Sequence, residues 1–269
     1  MNVLSLFDGM SCGQIALNKL GIKYDNYFAS EIDKYAIQVT QNNYPNTKQI
    51  GSVTEVNAKD LPKIDLLIGG SPCQGFSFAG KQLNFEDPRS KLFFEFVRLM
   101  KETKPTYFLL ENVRMKKEYQ DVISKYLGVE PVIINSGLVS AQNRVRYYWT
   151  NIPTTQPLDL NITLNEVVGQ DCKGASKRGR YISGNSGKTH QKEELRSDCK
   201  ANAMTTVSKN CMVKIKSTGE LRNLYRNEAE ALQCVPRDYT RKVTVSQSLK
   251  MLGNGWTVDV IAHIFKGLK

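Results

Sequence analysis

The run Ile64 to Ser77, IDLLIGGSPCQGFS, constrains the fold more than any other part of the chain. Its apolar part stops at Gly69-Gly70, and Ser71, Pro72 and Cys73 follow. A short apolar stretch bounded by turn residues reads as a strand buried on both faces, the kind that parallel sheets use. Such a strand delivers the next side chains to the carboxyl edge of the sheet, where open α/β folds bind ligands. Pro72 fixes its own φ and restricts Ser71, so the turn holding Cys73 is stiff. A free cysteine is ordinarily a small buried hydrophobe. Six are present, and only Cys73 follows an apolar strand and a Gly-Gly-x-Pro turn. That position marks it as the candidate nucleophile.

The same strand–turn–helix logic recurs on either side. Asn2 to Phe7 reads as a buried strand, Asp8 to Gly13 as a glycine-bearing turn, and Gln14 to Leu20 as a short helix ended by Gly21. Tyr27 to Ser30 is a second strand with Glu31 at its end, 22 residues past Gly9. That is about the separation at which an acidic residue meets a ribose hydroxyl in nucleotide-binding α/β units. Asp33 to Asn43 reads as a helix, Ile50 to Val53 as a third short strand, and Tyr107 to Leu110 as a fifth, followed by Glu111. Glu31, Cys73 and Glu111 therefore line one sheet edge. Taken singly, each carboxylate could be a helix cap or an ion-pair partner; together they define a candidate site. The aperiodic stretch Phe76 to Arg89 reads as a lid beside it, and Lys91 to Lys101 as an amphipathic helix.

Val129 to Asn135 and Tyr147 to Trp149 complete an expected seven-stranded, mostly parallel sheet. Between them, strand alternation would put Gln142, Arg144 and Arg146 on one face, suited to an anion or a base edge. From Asp171 to Ser217 the composition turns to Gly, Ser, Lys, Arg and Asn, which reads as a small loop-rich second domain. The expected division is 1–157 with 243–269 for the first domain and 158–242 for the second. Of the net charge of +11, residues 173–216 contribute +8, from eleven Lys/Arg against three Asp/Glu. A lysine-rich solvated surface would also be basic, but concentration in one segment favours a polyanion-binding face.

No apolar run approaches the roughly 20 residues of a membrane helix, and the N-terminus shows no leader pattern. The expected setting is the cytoplasm, with no membrane partner. Only His190 and His263 are present and no cysteines are spaced C-x-x-C, so no metal site is expected.

In order and spacing, Phe7-Asp8-Gly9, Glu31-Ile32-Asp33, Gly70-Ser71-Pro72-Cys73-Gln74, Glu111-Asn112-Val113, Gln142-x-Arg144, Glu228 to Pro236 and Gly253-Asn254 resemble the motifs of the cytosine-C5 DNA methyltransferases across nearly the whole chain. Leu4 to Gly9 and Trp256 look most like the mammalian de novo members, although a bacterial or phage origin is expected. Two departures stand out. Ser11-Cys12 replaces a common Gly-Gly, and Ser52 stands where many members carry an aspartate. The resemblance implies a Rossmann-like α/β fold and S-adenosylmethionine as cofactor. It implies cofactor contacts at Phe7, Asp8, Gly9, Met10, Ser11, Glu31, Ile32, Ser52, Val53, Pro72, Asn254 and Trp256. It further implies that Cys73 adds to cytosine C6, that Glu111 bonds N3 and the exocyclic amine, and that Arg144 binds O2 with Arg146 in support. Double-stranded DNA is the implied partner, with the base flipped out, the enzyme monomeric, and a cognate restriction endonuclease acting separately. Three alternatives stay open: a transfer-RNA methyltransferase, a catalytically silent DNA-binding module, and a nicotinamide oxidoreductase.

Overall fold

A computed structural model describes residues 1–71, 88–181 and 189–268. The elements in chain order are β1 (Asn2–Leu6), α1 (Cys12–Lys19), β2 (Asn26–Ser30), α2 (Lys34–Asn43), β3 (Lys48–Gln49), β4 (Leu66–Gly69), α3 (Pro88–Thr103), β5 (Tyr107–Val113), α4 (Lys117–Leu127) and β6 (Val132–Asn135). After these come β7 (Gln142–Asn143), β8 (Val145–Thr150), α5 (Leu164–Val168), β9 (Cys172–Tyr181), β10 (Thr189–Leu195) and β11 (Ala201–Asn202). The chain closes with β12 (Met212–Ile215), β13 (Leu221–Asn223), α6 (Arg226–Leu232), α7 (Val245–Asn254) and α8 (Val258–Phe265). They pack as two units: Met1–Ile134, Val145–Pro157 and Val260–Lys269 form one, Asn135–Arg144 and Leu158–Asp259 the other.

The first unit carries a seven-stranded sheet in the order β3-β2-β1-β4-β5-β8-β6. β1 pairs in parallel with both β2 and β4, β4 in parallel with β5, and β5 antiparallel with β8. The expected α/β architecture is thus the observed one. Leu4, Leu6, Leu67, Phe93, Phe96, Leu110 and Trp149 belong to one buried cluster that continues across the strands and α3. Burial on both faces explains why these strands read as apolar runs rather than alternations. Strand order reverses between β1 and β4, so the crevice at their carboxyl ends is the topological switch point. Gly13 allows α1 to lie close: a Cβ there would stand 2.4 Å from Ile68 Cδ1 and 2.8 Å from the Tyr27 hydroxyl. α3 begins at Pro88, three residues before the periodic pattern suggested, because proline suits a first helical position.

Two expectations change. The third strand is Lys48–Gln49 rather than Ile50 to Val53, since Gly51 turns the chain out of the ladder at φ 73°. In the second unit, the stretch that read as loops forms a four-stranded antiparallel sheet, β10-β9-β12-β13. β9 carries Lys and Arg among Gly and Ser, and β10 is polar from Thr189 to Glu194, which hides the period-2 pattern. β7 and β11 pair separately in parallel, Gln142 with Ala201 and Asn143 with Asn202.

Candidate active site

The turn after β1 is wound tightly. Phe7, Gly9 and Ser11 all have left-handed φ values, 57°, 60° and 67°. Asp8 N–H donates to Ser30 O at 3.1 Å and Gly9 N–H to Glu31 Oε2 at 2.7 Å. The other carboxylate oxygen of Glu31 accepts from Ile32 N–H at 2.7 Å and Asp33 N–H at 2.8 Å. Asp33 then caps α2 by accepting from Tyr35 N–H and Ala36 N–H. Glu31 therefore binds the ends of β1 and β2 into one piece. Met10 and Ser11 are buried, Ser11 Oγ donating to Gln14 Oε1 at 2.7 Å. Ile32 is the opposite case: its side chain is 78% exposed at the end of β2.

Asp8 is enclosed beneath this turn, and the Tyr27 hydroxyl donates to its Oδ1 at 2.8 Å. Burial pushes its pKa up to about 6, against the hydrogen bonds that pull it down. Its Oδ2 is buried and accepts no hydrogen bond among the described residues. An acceptor of this kind suits a ligand amino group and so fits an amino-acid-bearing nucleotide cofactor. Past β3, Ser30 Oγ donates to Gly51 O, and Ser52 Oγ lies 2.8 Å from Thr54 Oγ1. Arg98 of α3 holds the following loop by donating to Val53 O and Val56 O, each at 3.1 Å. Sequence reasoning missed Arg98, which also pairs with Glu95 at i−3 and Glu102 at i+4 on its own helix.

At the ends of β4 and β5 the structure brings two stretches together. Asn112 Nδ2 donates to Ser71 Oγ at 3.1 Å, which anchors the chain two residues before Cys73. Glu111, 8% exposed, pairs through Oε1 with Arg146 Nε at 3.0 Å. The antiparallel β5–β8 ladder sets this contact, with Glu111 opposite Tyr148 and Val113 opposite Arg146. Pro72, Cys73 and the lid residues 76–87 lie outside the described residues.

Arg144 belongs to the second unit. Gln142 and Arg144 do share a face, both holding the Met204 backbone, Gln142 through its N–H and Arg144 through its carbonyl, whereas Arg146 pairs with Glu111. The Arg144 guanidinium donates to Met204 O at 2.6 Å, Gly253 O at 3.1 Å and Gly255 O at 2.8 Å, within the second unit. In that unit Asn254 is exposed and Trp256 half-buried at the end of α7. No group of metal-binding side chains occurs among the described residues, and none of their helices is long and apolar enough to cross a membrane.

A switch-point crevice bounded by a left-handed glycine turn and an acidic strand end defines a nucleotide-cofactor α/β domain. Solved structures of that class superimpose over the full length. A mutant of Spodoptera frugiperda DNMT2 matches with a TM-score of 0.72 at 16% identity, over 99% of each chain. The Entamoeba histolytica methyltransferase EhMeth matches with a TM-score of 0.72 at 17% identity, over 100% of this chain and 99% of that one. At those identities the likeness is one of fold. The family follows from sequence: the model of the C-5 cytosine-specific DNA methylases matches residues 1–165 and 139–269, and the chain belongs to that family. The orphan methyltransferase M.Rho11sI of Bacillus phage rho11s is 44% identical over 116 residues, 42% of this chain and 23% of that protein. The type II methyltransferase M.NgoBV of Neisseria gonorrhoeae is 43% identical over 114 residues, 41% of this chain and 27% of its own length. The match thus spans about a quarter of each of these two relatives.

Proposed function

We propose that the chain is a DNA (cytosine-5)-methyltransferase that transfers a methyl group from S-adenosylmethionine to C5 of a cytosine in a short duplex site. The Glu111–Arg146 pair beside the anchored turn that leads to Cys73 carries this reading. Cytosine C5 is a weak nucleophile. The Cys73 thiolate attacks C6, forming an S–C bond and shifting the ring's electron pair toward C5 and N3. Glu111 hydrogen-bonds N3 and the exocyclic amine, and Arg146 lends positive charge on the O2 side, so the charge developing on the ring is met by groups already in position. S-adenosylmethionine supplies the electrophilic methyl that C5 takes. Loss of the C5 proton to a base and expulsion of Cys73 restore the aromatic ring. The thiol cannot reach C6 inside a stacked duplex, so the base is flipped out first.

Phe7, Gly9, Met10, Ser11, Glu31, Ile32, Ser52, Val53 and Pro72 are assigned to the cofactor, with Asp8 toward its amino group; the family resemblance alone assigns Asn254 and Trp256 to S-adenosylmethionine. Its ribose hydroxyls are assigned to Glu31. The basic antiparallel sheet of the second unit is assigned to duplex DNA. The enzyme acts as a monomer in the cytoplasm, separately from any cognate restriction endonuclease.

The test is base-resolution cytosine methylation of DNA from a bacterium that lacks its own, expressing either wild type or Cys73→Ala. Methylation at one recurring short sequence, absent in the mutant, is expected. Soluble wild-type protein that leaves DNA unmodified and methylates transfer RNA instead would replace the DNA substrate with RNA. Soluble protein that modifies neither would leave a silent binding module.

A further inference from the structure

Arg144 is 3% exposed, and Gln142 and Gln233 are fully buried. Helix α7 stops at Asn254, and Gly255 leaves in an extended conformation, φ −69° and ψ 168°. A helix that ends this way leaves its last carbonyls without partners in the helix. Here two side chains take them. Gln233 Nε2 donates to Leu252 O at 2.6 Å and to Gly255 O at 3.2 Å. Arg144 Nη2 donates to Gly253 O at 3.1 Å and to Gly255 O at 2.8 Å. A cation at a helix C-terminus is also favoured by the helix dipole.

The same groups continue past the turn. Thr257 Oγ1 donates to Gln233 Oε1 at 2.8 Å, and Val258 N–H to Gln233 O at 2.9 Å. Gln142 ties the set together, donating from Nε2 to Gln233 Oε1 at 2.9 Å and accepting Met204 N–H at 3.1 Å. Arg144 holds the Met204 carbonyl as well, and Gly253 lies so near the next residue that a Cβ would be 2.4 Å from Thr205 O. The backbone around Asn254 and Trp256 is therefore fixed on both sides, while Asn254 itself is exposed and Trp256 half-buried.

We infer that Arg144, with Gln142 and Gln233, is a positioning group that sets the Gly253–Thr257 turn for cofactor binding, and that it does not contact the target base. The inference rests on the assignment of Asn254 and Trp256 to S-adenosylmethionine. A positioning group of this kind governs how well the cofactor binds, whereas a base contact governs the chemical step, and the two separate as KM against kcat.

The test uses Arg144→Lys, which keeps the charge but not the fork; Gln233→Met, which keeps the volume but not the polar atoms; and Thr257→Val, which at constant size deletes the bond to Gln233 and the one accepted from Ser136. Cofactor Kd is measured calorimetrically without DNA, and KM and kcat for methyl transfer to duplex DNA are measured with it. Arg144→Lys and Gln233→Met are expected to raise Kd and KM for S-adenosylmethionine about tenfold or more, with kcat at saturation within about threefold of wild type. Thr257→Val is expected to raise both about threefold, and it decides the matter if the other two do not fold. Variants that bind the cofactor like wild type while kcat falls would overturn the inference and return Arg144 to the base. A simple loss of folded protein lowers the binding stoichiometry and leaves Kd unchanged, which would also overturn it. Wild type that binds no S-adenosylmethionine would overturn the cofactor assignment itself.

Discussion

The two sheets reach the same end, a face that holds side chains in register, by opposite means. In the seven-stranded sheet, β1 and β4 are apolar and buried, and chemistry is confined to the few residues past their carboxyl ends. In the four-stranded sheet, polar and charged residues run along the strands themselves. Lys173 even stands directly opposite Lys214 in the β9–β12 ladder. Like charges facing one another cost stability, a cost that Glu193 offsets in part by pairing with Lys214 at 3.3 Å. On the proposed reading, the first sheet concentrates function at points and the second spreads it over a surface. Point changes should be severe in the first and graded in the second.

The largest expected effect follows from Glu111→Ala. It removes the group assigned to the ring nitrogen and leaves Arg146 without the Oε1 contact. Single-turnover methyl transfer should fall about 10²–10⁴-fold with cofactor Kd little changed. A drop below tenfold would take Glu111 out of the chemistry and weaken the contrast between point and surface.

Asp8→Asn comes next and sharpens the contrast from the stability side. The folded-state pKa of Asp8, about 6, lies above its ordinary 3.8. Its contribution is therefore fully present below about pH 3.8 and is lost as pH rises through about 6. At neutral pH the wild type bears a penalty of up to about 3 kcal/mol from this one group, on the order of the shift converted by linkage. Denaturant unfolding from pH 4 to 8 should show the Asn variant gaining on wild type as pH rises, while it binds S-adenosylmethionine less tightly. Parallel stability curves would show that the penalty is absent.

Lys173→Ala should have the smallest effect. Stability should change by less than about 0.5 kcal/mol, and the slope of log K against log salt for duplex binding should flatten by about 1. An unchanged slope would remove this lysine from the DNA-facing surface.

The same division decides what could be read from the chain. β1, β2, β4 and β5 were legible because continuous apolar runs have few other fates. Glu31 and Glu111 were legible because they follow those runs directly. β9 and β10 were not, because Gly, Ser, Lys and Arg fill β9 and polar residues fill β10 on both faces, which leaves no alternation to see. Gly51 misled in a smaller way, since Ile50 and Val53 look like strand residues until the positive φ between them is known. Counting alternate residues did place Gln142 and Arg144 together, but the backbone carbonyls that Arg144 takes could not be read from residue identity. Arg98 and Gln233 were missed because their partners are backbone carbonyls, Val53 and Val56 for one and Leu252 and Gly255 for the other, which leave no trace in residue identity.

Glu31 has a consequence for the manner of ligand capture. One carboxylate accepts three backbone N–H groups, from Gly9, Ile32 and Asp33, across two strand ends. The entropy of ordering those loops is thereby met when the protein folds, and a ligand arriving there finds little left to organise. Capture at that edge is a docking event rather than a coupled ordering event. Its heat capacity change should track the apolar area covered and carry no added contribution from loop folding.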